Sequence, residues 1–196
     1  VIPVDPVPEP MDFDARVRRR GRAWLEAHPD ARVRAEPYWS EFLPALRDGF
    51  GGRCGYSAMF VPDGTVDHFR SRRDHRTLLY EWTNLRFASS LMNAAKKAAD
   101  VLDPYEVGAG WFELLLPSME LIARFDLIPV ERHALVKATL AALPLVHDER
   151  IVRQRRGWYA SYLSGEVTLA GLRTFAPLIA AAVERWRAGH PDEPLP

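Results

Sequence analysis

The chain has 196 residues, 47% of them hydrophobic and 27% charged, and its 26 basic and 26 acidic side chains cancel to zero net charge. That length accommodates one sizeable core, and the composition is that of an ordinary soluble globular protein. It excludes a membrane span, since no apolar run reaches roughly 18 residues, and it argues mildly against broad sequence-blind nucleic-acid binding, which rests on phosphate neutralisation. The segment Val1 to Pro6 lacks the basic and apolar regions of a signal peptide. Cys54 is the single cysteine, so no internal disulfide forms, and the expected location is a reducing cytoplasm. Three of the 26 basic residues are Lys and the rest Arg. A GC-rich coding bias accounts for that skew better than selection for phosphate contacts.

Residues 1–11 carry four prolines and read as an extended arm, either lying on the surface or disordered. A helix is expected from Asp12, with Asp12 or Asp14 as its N-cap and Phe13, Val17, Trp24 and Leu25 on one face. Arg16, Arg18, Arg19, Arg20 and Arg22 crowd the rest. They read as a solvated face, with a phosphate-facing stripe as the functional alternative. His28-Pro29-Asp30 ends that helix. Pro37 suits the first turn of a second, in which Trp39, Phe42, Leu43, Leu46 and Phe50 supply a core face and Gly49, Gly51 and Gly52 the stop. Tyr56 to Val61 reads as a strand, Pro62-Asp63-Gly64 as a turn and Thr65 to Phe69 as the returning strand. Residues 70–79 form a loop with Arg70, Arg72, Arg73, His75 and Arg76. Asn84 to Ala88 is a short strand and 89–100 a helix bearing Lys96 and Lys97. Gly110 to Leu116 is a further strand or buried segment ended by Pro117. Helices are expected near 130–143, 147–163 and 168–188, with Arg150, Arg153, Arg155 and Arg156 as a second solvated basic cluster.

Chemistry concentrates between Thr65 and Lys96. Asp67-His68 closes a strand-like run, Asn84 follows His68 by sixteen positions, and Asn93 follows nine later with Lys96 beyond it. Hydrolysis of a phosphodiester needs an activated water and charge neutralisation on the phosphate, and a divalent cation supplies the second as a Lewis acid. Hard oxygen donors such as Asp67 and Asn93 suit Mg²⁺, which retains several waters. His68 can accept a proton near neutral pH. Adjacent strand residues point to opposite faces, so Asp67 and His68 can share a site only where the strand ends or bends. Taken singly, an Asp-His dipeptide or a lone Asn signifies little. Order and spacing together, with Tyr80-x-Trp82-x-Asn84-Leu85 and Asn93-x-x-Lys96, are far more specific.

This pattern, about a sixth of the chain, resembles the HNH endonuclease family in an H-N-N variant. The resemblance implies a β-β-α motif, His68 as general base, Asp67 and Asn93 as ligands of Mg²⁺, Mn²⁺ or another divalent ion, and Asn84 as the residue that pins the loop carrying His68. It implies DNA as substrate, with Arg70, Arg72, Arg73, Arg76 and Lys96 as nucleic-acid contacts. Many relatives hold a structural zinc with two Cys-x-x-Cys pairs. The matching positions are Cys54 and Ser57, then Ser89 and Met92. Four N or S ligands are needed for such a site, so zinc is not expected, and packing by Tyr56 and Met92 replaces it.

The reading is an α+β, mainly α-helical single domain. Residues 1–50 supply the arm and two helices, 51–100 the β-β-α metal motif and 101–196 a C-terminal helical part. The function it points to is a metal-dependent DNA endonuclease of a bacterial anti-phage or mobile-element system, with an ATPase or sensor protein as partner, and the system placement is analogy alone. The alternatives are an RNase or toxin nuclease, and a nucleic-acid-binding module whose site has decayed.

Overall fold

The computed structural model describes residues 1–30 and 33–196. Among them are seven α-helices and two antiparallel sheets of two strands each. Helix α1 (Arg19–Ala27) continues from a π-turn over Asp14–Arg18 and stops at His28, which lies outside the helical region at φ −128°. No side chain caps its start. Asp12 and Asp14 instead bond Arg16, Arg18 and Arg19. Helix α2 (Leu43–Gly49) follows a 3₁₀ turn at Tyr38–Phe42, with Pro44 in its first turn.

Strands β1 (Gly64–His68) and β2 (Leu85–Ser89) pair antiparallel, setting Asp67 opposite Arg86 and His68 opposite Leu85. The expected strand at 56–61 does not form. That segment is a tight fold-back, with Cys54 N–H donating to Met59 O at 3.0 Å and one isolated bridge, Arg53 to Phe60. The turn at Pro62-Asp63-Gly64 therefore precedes β1 without closing a hairpin, and β1 pairs across the long loop with β2. Helix α3 (Ser90–Lys96) starts directly after β2. Ser89 caps it, its Oγ accepting from Met92 N at 3.3 Å, and Lys97 ends it four residues short of expectation at φ 49°.

Strands β3 (Phe112–Leu115) and β4 (Glu120–Ala123) make the second sheet. Helices α4 (His133–Ala142), α5 (Glu149–Leu163), α6 (Leu169–Phe175) and α7 (Pro177–Gly189) complete the chain. Residues 168–188 were expected as one helix. Ala176 breaks it with φ −148°, and Pro177, which has no N–H to give, opens α7.

One apolar cluster joins Phe13 and Val17, Tyr56, Phe87 and Met92, and Leu172, Ile179 and Val183, so all three portions share a core. The N-terminal arm is part of it. Val1 is buried, Val4 N–H donates to Pro104 O, and Trp82 Nε1 donates to Val7 O at 2.8 Å. Among the described residues no helix is long and apolar enough to cross a membrane.

Candidate active site

Strand β1 ends at His68, and the chain turns away at once. Phe69 N–H donates to Asn84 O at 2.8 Å, and Arg70 N–H donates to Asn84 Oδ1 at 2.7 Å. The Asn84 amide donates back to Arg70 O at 3.1 Å and to Leu78 O at 3.2 Å. Asn84 is buried, so these bonds replace water that would otherwise solvate its amide. The Asn84 side chain thereby ties Arg70, at the start of the 69–83 loop, to Leu78 within it, at the place where β1 gives out.

A cleft of about 440 Å³ opens beside this loop. Asp67, His68 and Asn93 all line it, with Trp39, Ser71, Arg72, Arg73 and Lys97. The ending of β1 at His68 lets adjacent residues reach one site. Trp39 lies edge-on to the His68 ring, 4.6 Å between centroids. His68 Nε2 sits 2.9 Å from Leu79 O, an oxygen that can only accept, so Nε2 carries the proton and Nδ1 presents a lone pair. Among the described residues Nδ1 has no hydrogen-bond partner. Burial holds the imidazole pKa down at about 4, with Arg72 and Lys96 adding to the shift and the Leu79 carbonyl and Asp67 opposing it. At neutral pH His68 is an uncharged acceptor.

Asp67 is 2% exposed and held from two sides. Tyr56 Oη donates to Oδ2 at 2.6 Å, and Lys96 Nζ donates to Oδ1 at 3.0 Å and to His68 O at 2.8 Å. Burial first, and the Asp67 charge second, push the Tyr56 hydroxyl well above the usual tyrosine range, so it stays a donor. A carboxylate offers about four lone-pair sites, and two remain here. Asn93 Nδ2 donates to Val66 O at 3.2 Å, which orients the amide and leaves Oδ1 without a partner among the described residues. One carboxylate and one amide oxygen on a single cleft fit a hard divalent cation that keeps its remaining waters. No group of three or more His, Cys, Asp or Glu among the described residues could hold a metal. A divalent ion placed here would have these two protein oxygens and its own waters as ligands, not an all-protein cage.

The basic residues divide. Lys96 was expected on nucleic acid, but it is 1% exposed and its ammonium is committed to Asp67 and the His68 carbonyl. Lys97, one residue on, lines the cleft instead. Arg70 is ion-paired with Asp100 at 2.7 Å, and Arg76 donates to His28 O beside the Trp24 ring. Arg72 and Arg73 are exposed at the cleft. Elsewhere Arg16, Arg18, Arg19 and Arg22 are paired with Glu41, Glu9, Asp14 and Glu81, which makes their helix face an ion-pair lattice. Arg155, expected on a solvated face, is buried on the carbonyls of Met119 and Leu145, and burial lowers its pKa to about 10.

Sequence reasoning missed the hydrogen-bonding role of Tyr56, the ring contact of Trp39 and the buried Arg86–Asp103 pair at 2.7 and 2.5 Å. Tyr56 and Trp39 look like core residues, and their partners are remote in sequence. Arg86 carried a readable signal, since a charged residue inside Leu85-Arg86-Phe87-Ala88 demands a buried counter-charge. At the positions considered for zinc, Cys54 and Met92 are fully buried in the core, and Ser57 N–H points to Cys54 Sγ at 3.4 Å. No protein-family model matches the chain, and no curated protein or solved structure matches it.

Proposed function

We propose that the chain is a metal-dependent endonuclease of the HNH type that hydrolyses DNA phosphodiester bonds. The observation that carries this reading is the convergence of Asp67, His68 and Asn93 on one cleft, with Asn84 clamping the loop between them. In the proposed reaction His68 Nδ1 takes a proton from a water, the water oxygen forms the new P–O bond, and the bond to the leaving sugar oxygen breaks. That oxygen takes its proton from solvent. Asp67 and Asn93 would hold the divalent ion, which neutralises charge on the phosphate and the leaving oxygen. The Leu79 carbonyl keeps His68 in the required tautomer and stabilises the imidazolium that forms. Arg72, Arg73 and Lys97 supply positive charge at the cleft mouth.

The test is nicking of supercoiled plasmid with Mg²⁺ or Mn²⁺, with and without EDTA. Wild type is expected to nick only with the metal present. General-base assistance is worth about 10²–10⁴ in rate, and His68→Ala should lose that much. Cleavage by His68→Ala at the wild-type rate would overturn the assignment. One observation favours a second reading, a nucleic-acid-binding module without activity. Lys96 already compensates the Asp67 charge, which weakens its pull on a metal. Wild-type protein that binds DNA but nicks nothing with either metal would support that reading.

A further inference from the structure

A second cleft, of about 480 Å³, adjoins the candidate active site. Val33, Arg34, Ala35, Arg72, Arg73, Arg76 and Leu79 line it, and Arg72 and Arg73 belong to both clefts. Among the described residues four guanidinium groups line this second cleft and no carboxylate does. In a chain of zero net charge that is a local imbalance. Most other arginines of the N-terminal half sit on acids, from Arg16 on Asp12 and Glu41 to Arg86 on Asp103. Among the described residues Arg34, Arg72 and Arg73 have no ion-pair partner. Arg76 is held by the His28 carbonyl, which orients its guanidinium without neutralising it. Uncompensated cations forced together repel, and that cost is offset when an anion sits among them.

Resting on the nuclease reading of the neighbouring cleft, we propose that this second cleft is a subsite for the backbone phosphate next to the scissile one. The strand then passes from Asn93 and His68 over Arg72 and Arg73 to Arg34 and Arg76. Guanidinium forks suit phosphate oxygens, and recognition of this kind positions the strand without reading its sequence. The chemistry is a phosphodiester of either DNA or RNA.

Two measurements on the full chain test this. The first is the binding of labelled single-stranded DNA, duplex DNA and single-stranded RNA across a salt series. Arg34 is exposed and outside the catalytic cleft, so Arg34→Ala should fold normally. It should lower the log–log salt slope by about 0.9 on duplex and about 0.7 on single strands. An arm whose slope falls by the full amount expected for that polymer has its phosphate in the second cleft, and an arm whose slope does not fall is not bound there. The control is Arg153→Ala, one charge removed from a separate cleft that holds His147 and Glu149. An equal fall from that control would reduce the effect to net charge and overturn the subsite. So would an Arg34→Ala slope equal to wild type. The second measurement compares a p-nitrophenyl phosphodiester, too short to reach the second cleft, with an oligonucleotide. Arg34→Ala should raise KM on the oligonucleotide and leave the small substrate unchanged, whereas loss on both would overturn the subsite. If wild type cleaves neither, the nuclease reading fails while the salt slopes still decide whether the cleft binds phosphate.

Discussion

Asp67 has a net interaction that can be separated into its two holders. Tyr56 donates a bond to a buried charge, and such bonds contribute about 1.5–3 kcal/mol. Lys96 does more, because its removal leaves a carboxylate buried with no counter-charge, a loss of about 3–5 kcal/mol. Lys96→Met should therefore unfold at lower urea than Tyr56→Phe, with both below wild type. The reverse order would mean that solvent reaches Asp67. His68 makes a separate prediction about pH. Its ordinary pKa is near 6.5 and its folded value about 4. As pH falls, the unfolded chain takes the proton first, so stability is lost from about pH 6.5 downward until the folded form protonates too. Between pH 7 and pH 5 the loss from this group is about 2 kcal/mol. Urea unfolding at both values should show wild type losing that much more than His68→Asn, and equal losses would place the imidazole in solvent.

At the scale of elements, α1 meets the loop between β1 and β2 at Gly21. A Cβ built there would lie 2.1 Å from Cγ of Tyr80, whose ring is buried and whose hydroxyl donates to Glu36 O at 3.0 Å. Alanine gains about 1 kcal/mol in helix propensity, but overpacking against a pinned ring costs about 1–3 kcal/mol. A 2.1 Å approach belongs at the upper end of that cost, so packing wins, and Gly21→Ala should destabilise by up to about 2 kcal/mol in chemical denaturation. A stabilised variant would show that α1 can slide away from Tyr80. The same contrast between local and remote contact explains what was legible in the sequence. The end of β1, the start of β2 and the start of α3 lie within one residue of expectation, marked locally by Asp67-His68 and Asn84, whereas Ser89 was read as a zinc-site position and not as the helix cap it is. The 56–61 strand was misread because β-forming residues there have no partner strand. Phe60 N–H goes to Phe175 O at 2.7 Å, a contact 115 positions away that no local pattern carries. Likewise Asp67, His68 and Asn93 were legible as a group, whereas their setting was not. Tyr56 and Trp39 reach the site only through tertiary packing, and Lys96, legible in Asn93-x-x-Lys96, turns inward to Asp67 instead of outward.

At the scale of the molecule, one core links the arm, the site and the C-terminal helices, so ligation at the cleft should be felt by global stability. An ion that binds the folded chain alone stabilises it by RT ln(1 + [L]/Kd). With Mg²⁺ at tenfold its Kd that is about 1.4 kcal/mol. It should appear as a rise in the unfolding midpoint that follows Mg²⁺ concentration, reverses with EDTA and is the same by tryptophan fluorescence and far-UV circular dichroism. Asp67→Asn keeps the shape of the side chain and removes the charge, and Asn93→Ala removes the free Oδ1. Each should abolish the increment. Lys96→Met frees a carboxylate oxygen and removes a competing cation, so it should bind Mg²⁺ more tightly even as the metal-free protein weakens. EDTA alone should leave the metal-free wild type unchanged, since the positions matching a zinc site are Cys54, Ser57, Ser89 and Met92, of which two are packed in the core and the serine at the head of α3 caps that helix. A midpoint indifferent to Mg²⁺ in wild type, with an increment appearing only in Lys96→Met, would show that the buried ammonium has taken the place of the ion.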